Sequence, residues 1–215
     1  MAKKPAYFQN CLRMYVPGFG ASQELGGNLG EWFSQWSNSI SGDEQRLKVL
    51  AQHDLRMALA DAFGKDYLEL QGPTSIAETL GADARKKWDG IRSTCEWDLP
   101  SMSSAPWLQH LLGAIILAGF ILPFFLLPAV LILPLVLPLS LWLEKRGTYL
   151  DNPTLDAMAD RMLILNAPRV VDGQFLSEDI ERVFFQLACM ASGRDLNPSE
   201  WQSLSVDQAL SGNNP

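Results

Sequence analysis

The feature that most constrains this chain is a central run of 33 residues without a charged side chain, from Leu111 to Leu143. Leucine, isoleucine, valine and phenylalanine dominate the run. A charge-free apolar run longer than about 18 residues is typical of a membrane-spanning segment. The run divides the chain of 215 residues into a polar flank at 1–106, a hydrophobic segment at 107–143 and a second polar flank at 144–215. The sequence therefore predicts that membrane lipid is a partner of this protein.

The length of the run favours a hairpin. As one helix, the 33 residues would extend about 50 Å against about 30 Å of hydrocarbon, whereas two complete spans would need about 40 residues. Pro123 and Pro128 flank the midpoint, and a turn between them would place Trp107 and Trp142 at the same membrane interface. The first arm carries small residues on which a second arm could pack: Gly113, Ala114, Ala118 and Gly119. A single tilted span and a buried core element are the alternatives.

The charges beside the run predict its orientation. Lys145 and Arg146 follow the run, and basic residues at the end of a membrane segment favour the cytoplasmic side. A hairpin would keep both flanks on that side, and the first residues lack the apolar core of a signal peptide. We therefore expect a membrane location with cytoplasmic flanks. The three isolated cysteines would then stay reduced: Cys11, Cys95 and Cys189.

Both flanks show helical periodicity nearly throughout, so the sequence predicts an all-α fold. Helices are predicted at residues 21–40, at 43–63 before Gly64, at 75–95 behind a capping box at Ser75, after caps at Asn152 and Ser177, and around Trp201. Residues 167–173 are expected to form a connector with an Asp-Gly turn. The C-terminal flank is short for an independent domain, so we expect it to pack against the N-terminal flank.

The helix predicted over residues 21–40 has an apolar face opposite an almost uncharged polar face. The apolar residues fall at spacings of three and four: Leu25, Leu29, Trp32, Phe33, Trp36 and Ile40. Bulky apolar side chains opposite a weakly charged face are typical of helices that lie in the plane of a membrane interface. We expect this face to contact lipid or a protein partner. The alternative is that it packs on the following helices, because Gly26, Gly27 and Gly30 weaken an isolated helix.

The sequence indicates no catalytic constellation, and it predicts no enzyme activity, cofactor, metal site or small-molecule substrate. The chain has two histidines, His53 and His110, and both are expected to be solvated or interfacial. Asp54 adjoins His53, but neighbours along a helix point to different faces. The net charge of −7 argues against nucleic acid as a partner, because phosphates require a basic surface.

A short C-terminal stretch resembles part of a known family. Residues 170–204 contain an Asp-Gly turn at Asp172 and Gly173, an acidic helix start at Glu178 and Asp179, and a following short helix. This order resembles the TerB-like tellurite-resistance helical domains, over about 35 residues of common capping chemistry. The acidic cluster that this family carries before the turn has no counterpart here. The resemblance therefore assigns neither a family nor a metal site.

These features predict a membrane-anchored, all-α interaction or scaffold protein at the cytoplasmic face of a membrane. A protein partner or a second copy would bind its apolar helix faces. The alternative is a pore-forming or membrane-perturbing protein, with the layout of a colicin-type channel domain, whose hairpin is shielded inside a soluble helical bundle. The four prolines of the run favour the anchor, because they interrupt the long helices that a channel uses.

Overall fold

The computed structural model describes residues 5–20, 27–81, 83–121, 138, 141–142, 149–151, 154–173 and 178–210. These residues form α-helices and short 3₁₀ turns without a β-strand, so the all-α prediction is confirmed for this part of the chain. The helices are α1 (Pro5–Arg13), α2 (Leu29–Ser39), α3 (Asp43–Phe63), α4 (Ile76–Leu80), α5 (Ala84–Thr94), α6 (Pro106–Ile121), α7 (Leu155–Leu165), α8 (Ala167–Val171), α9 (Glu178–Ser192) and α10 (Val206–Leu210). The 3₁₀ helices are Tyr67–Glu69 and Trp201–Ser203.

Helix α2 begins later than its periodicity suggested. The side chain of Asn28 accepts a hydrogen bond from the backbone N–H of Glu31 at 2.8 Å, which caps a helix that starts at Leu29. Gly27 precedes the cap with φ of 92°, outside the helical region. The predicted start at residue 21 is therefore wrong, and residues 21–26, with Leu25, lie outside the described part of the chain.

Helix α3 has the predicted bounds. It ends at Phe63 because Gly64 takes a left-handed conformation with φ of 61°, which glycine adopts without steric cost. This helix is central to the fold, since α5, α7 and α9 all pack on it.

The third predicted helix is divided in two. The cap at Ser75 forms as expected, with its hydroxyl accepting from the N–H of Glu78 at 3.3 Å. Gly81 and Asp83 then have positive φ angles of 57° and 60°. Because a right-handed helix requires negative φ, α4 ends before this corner and α5 begins after it. The apolar periodicity of the sequence continues through the corner because it indicates which side of a helix is buried and carries no information on the backbone φ angles.

Helix α7 begins later than predicted, and the connector that follows it contains a helix. Thr154 caps α7, accepting from the N–H of Ala157 at 3.3 Å, where a cap at Asn152 was expected. Residues 167–173 contain the short helix α8, and the turn is confined to Asp172 and Gly173. Asn152 and Ser177 lie outside the described residues.

One hydrophobic core joins helices from both flanks. Helix α3 packs on α7, and α1 packs on α9. Phe184 of α9 lies at the centre of an aromatic cluster whose other members come from α1, α2 and the last 3₁₀ helix: Phe8, Phe33, Trp36 and Trp201. Gly30 permits this packing, because a Cβ at that position would lie 2.9 Å from the backbone oxygen of Gln202. The two polar flanks are therefore packed together.

Candidate functional site

The two ends of the uncharged run leave and rejoin the helical body at one place. Ser103 and Tyr149 exchange backbone hydrogen bonds, each N–H donating to the other's carbonyl oxygen at 3.0 Å. A reciprocal antiparallel pair of this kind holds its two Cα atoms about 5.5 Å apart. The 45 residues between them therefore begin and end side by side.

Helix α6 carries the start of the run and exposes its large apolar side chains. Trp107 is 67% exposed and Leu117 is 61% exposed, whereas Leu112 is buried. Near the far end of the run, Leu141 and Trp142 are also exposed. The described part of the run contributes no residue to the core that joins the flanks. Contiguous apolar exposure of this kind marks a surface that meets another protein or a membrane.

The length of α6 falls short of a membrane span. The structure describes 16 residues of this helix. Within the described segments as a whole, we find no helix with the length and apolarity to cross a bilayer. The predicted hairpin turn at Pro123 and Pro128 lies outside those segments.

The predicted interface and packing residues are only partly described. Trp107 and Trp142 are exposed, as residues at an interface would be. Gly113 of α6 has open space where a Cβ would lie, so nothing described packs on that position. Ala114 is exposed beside it. The remaining positions fall in residues whose placement or surroundings are not described: Ala118, Gly119, Lys145 and Arg146.

The apolar face of α2 is occupied by the chain's own core. The core buries four of its predicted members, which are Leu29, Trp32, Trp36 and Ile40. A fifth member, Phe33, is half-buried against the same core. The indole N–H of Trp36 donates to the carbonyl oxygen of Leu12 at 3.2 Å. The expected contact with lipid or a partner is therefore replaced by internal packing, which was the alternative interpretation of this helix. The aromatic residues of α1 and α9 that cover this face are distant in sequence, so periodicity could not reveal them.

A chain of polar side chains crosses the interior beside α3. His53 is fully buried, so the expectation of a solvated histidine at this position is wrong. Its Nδ1 lies 2.7 Å from the hydroxyl of Tyr67, and its Nε2 lies 2.7 Å from Oε1 of Gln186 on α9. The hydroxyl of Tyr67 also contacts that of Tyr15. The network connects α3, α9, the first 3₁₀ helix and the segment that follows α1 through hydrogen bonds.

The donors and acceptors of this network follow from Gln186. Its carbonyl oxygen can only accept, so Nε2 of His53 carries the proton and Nδ1 accepts from Tyr67. Tyr67 then accepts from Tyr15. Burial disfavours the charged forms: it lowers the pKa of His53 to about 4 and raises the pKa of Tyr67 well above its ordinary value. The network is therefore neutral at pH 7 and fixes the orientation of its members.

Asp54 takes different partners from its neighbour. Its Oδ2 accepts from the indole N–H of Trp97 at 2.9 Å and pairs with Nη2 of Arg182 at 3.2 Å. His53 and Asp54 therefore make no catalytic dyad. Each instead forms polar contacts that connect α3 to segments distant in sequence.

A polar cavity of about 380 Å³ lies between α3, the end of α1 and the start of α7. One wall is a polar stripe of α3 at spacings of three and four: Gln45, Lys48, Gln52 and Arg56. Asp156 of α7 stands on the opposite side, and its Oδ1 accepts from Nε2 of Gln52 at 2.8 Å. Gly72 fits this position, because a Cβ there would overlap the carboxylate of Asp156 as it is placed.

Arg56 is the unusual member of the cavity wall. Its side chain is 2% exposed, its Nε donates to the carbonyl oxygen of Leu70 at 2.9 Å, and its guanidinium carbon lies 4.9 Å from the centre of the Tyr15 ring. Its Nη1 is buried without a hydrogen-bond partner. The stripe on α3 was visible in the sequence, but a polar stripe normally faces solvent. The packing of α7, of the segment after α1 and of residues 71–73 around this stripe makes it the wall of a cavity.

The described residues hold no group of three or more His, Cys, Asp or Glu arranged to bind a metal ion. Asp179, part of the acidic patch near the Asp-Gly turn, lies 4.0 Å from Nε of Arg182. The three cysteines form no disulfide. No protein-family model, curated protein or solved structure matches this chain.

Proposed function

We propose that this protein is a membrane-anchored helical protein whose folded body lies at the cytoplasmic face of a membrane and binds a protein partner there. The observation that carries the proposal is the pairing of Ser103 with Tyr149. It joins the backbone that precedes the run to the backbone that follows it, which supports a hairpin.

The shared core supports a hairpin over a single span. A single span would put the two flanks on opposite sides of about 30 Å of hydrocarbon. The contacts of α3 with α7 and of α1 with α9 require both flanks on one side. Lys145 and Arg146 next to the run favour the cytoplasm as that side.

The position of the run favours an anchor over a shielded pore-forming hairpin. A shielded hairpin would be covered by the amphipathic helices of the flanks. Those helices bury their apolar faces on one another, and the described start of the run exposes Trp107, Leu111 and Leu117. The alternative of a pore-forming protein would require the body to open before it could cover these residues.

The proposed partner surface is on α7 and α8, since the face of α2 is buried. Ile164 and Leu165 at the end of α7 and Val171 at the end of α8 are exposed apolar residues, and Val171 is 85% exposed. Exposed aliphatic side chains are typical of sites that bind another protein. A second copy of this chain would serve as such a partner, as would a different protein.

Fractionation of cells that express the full chain tests the anchor. The protein should sediment with membranes, resist washing with high salt and be released by detergent. The double variant L111K/L117K should shift most of it to the soluble fraction, because charges in the hydrocarbon cost about 3 kcal/mol each. Reporters fused to the two termini should give readings on the same side of the membrane.

The matched control is the double variant I164K/V171K, which places the same charges on exposed apolar positions of the body. It should stay in the membrane fraction. Release of this control to the same extent as L111K/L117K would mean that the body, and not the run, holds the membrane. Recovery of the unsubstituted protein in the soluble fraction without detergent would overturn the anchor and favour the shielded hairpin.

A further inference from the structure

The cavity beside α3 contains two opposite charges that do not pair with each other. In the described part of the chain, Arg56 makes no ion pair with a carboxylate, and Asp156 makes none with a cation. The two groups are close enough for the charge of Asp156 to act on the guanidinium. Both charges therefore line one small cavity without a direct ion-pair partner.

The cost of this arrangement points to a ligand. A buried cation without an ion pair loses hydration that neutral hydrogen-bond partners replace only in part, so such groups are normally paired. Nη1 of Arg56 is buried without a partner, and no described group donates to Oδ2 of Asp156. Gly72 leaves room for this carboxylate, because a Cβ at that position would overlap it.

The chemistry of the walls indicates what would fit. A guanidinium presents donors in a planar fork that matches a carboxylate, and a carboxylate accepts from an ammonium group. Met14, Val49 and the ring of Tyr15 add apolar surface to the same cavity. A volume of about 380 Å³ suits a small molecule.

We propose that this cavity binds a small zwitterion with the charge arrangement of a free amino acid, its carboxylate on Arg56 and its ammonium group on Asp156. The ligand bridges the two unpaired charges, and its side chain lies against the apolar wall. This inference is independent of the proposed membrane role, because the cavity is built from the helical body.

Isothermal titration calorimetry on the full chain in detergent tests the site, first with the twenty L-amino acids. At least one should bind with a dissociation constant in the millimolar range or below. Its two single-charge analogues, the deaminated carboxylic acid and the decarboxylated amine, should each bind at least tenfold more weakly. Equal affinity for the carboxylic acid would replace the proposal with a simple anion site. No binding by any amino acid would mean that the cavity holds water alone.

The variants R56M and D156N should each weaken binding at least tenfold. D156N keeps an acceptor oxygen for Gln52, and R56M replaces the buried charge with an apolar chain of similar length. The control is D61N, which removes an exposed carboxylate of α3 that does not line the cavity. Thermal unfolding reports whether each variant is folded. Unchanged affinity in folded R56M or folded D156N would overturn the assignment.

Discussion

The hydroxyl of Tyr67 donates to Nδ1 of His53 across 2.7 Å, and this contact joins the 3₁₀ helix after α3 to the middle of α3 itself. Both side chains are buried, so neither can exchange its partner for water. Buried polar groups contribute to stability when every partner is present and cost free energy when one is removed. Removal of one member of this network should therefore lower the free energy of unfolding.

The variant Y67F should lower the free energy of unfolding by about 1–3 kcal/mol, because it removes the hydrogen bond to Nδ1 of His53 and the contact with the hydroxyl of Tyr15. Urea denaturation in a fixed detergent measures the change. The control is Y149F, at a tyrosine that is 37% exposed, and it should change stability by less than about 0.5 kcal/mol. A loss in Y67F no larger than in Y149F would show that the buried hydrogen bonds contribute little.

Stability should fall as the pH drops from about 6.5 to about 4. Burial lowers the pKa of His53 to about 4, so the unfolded chain binds a proton in this window before the folded chain does. The difference of about 2.5 pH units corresponds to about 3 kcal/mol of unfolding free energy, which is present above pH 6.5 and lost below it. Denaturation curves at pH 7, 5.5 and 4.5 measure it.

The variant H53Q isolates the contribution of His53 from that of the carboxylates, which also titrate at acid pH. It should flatten the dependence of unfolding free energy on pH between 6.5 and 4. The variant H110Q, at the exposed histidine of α6, should keep the profile of the unsubstituted protein. Identical profiles for H53Q and the unsubstituted protein would contradict the proposed titration.

The variant M158A tests whether α7 is part of the same cooperative unit as α3. Met158 is completely buried where these helices pack, so truncation should lower the free energy of unfolding by about 2–5 kcal/mol. The unfolding transition should remain single for fluorescence and circular dichroism. I164A, in the same helix at an exposed position, should lose less than about 0.5 kcal/mol. Two separate transitions would mean that the flanks fold independently.

A double cysteine variant tests the closure of the run. In a background with Cys95 and Cys189 changed to serine, S103C/Y149C should form a disulfide on mild oxidation, because an antiparallel pair has the Cα separation that a disulfide needs. Electrophoresis without reductant should show a monomer of increased mobility. The single variant S103C in the same background should not show this increase in mobility. A failure to form the bond in the folded variant would mean that the two ends lie apart.

The structural features that the sequence predicted correctly are those determined by residues near each other in the chain. The bounds of α3 were predictable because Gly64 ends it, and the cap at Ser75 formed as expected. The corner at Gly81 and Asp83 was not predictable, since either residue can also continue a helix. In the same way, neither the burial of His53 nor the cavity at Arg56 could be predicted. Both depend on residues more than 90 positions away, Gln186 and Asp156, that reach α3 only in the folded chain.

The backbone pairing of Ser103 and Tyr149 also makes the most apolar part of this chain an insertion into a fold that the flanks complete without it. Closing a loop has an entropic cost that grows slowly with its length, and a link of four residues in place of the 45 would lower that cost by about 2 kcal/mol. A chain shortened in this way keeps every core residue of the body. The segment could then be exchanged or lengthened with little effect on the helices that surround its attachment point.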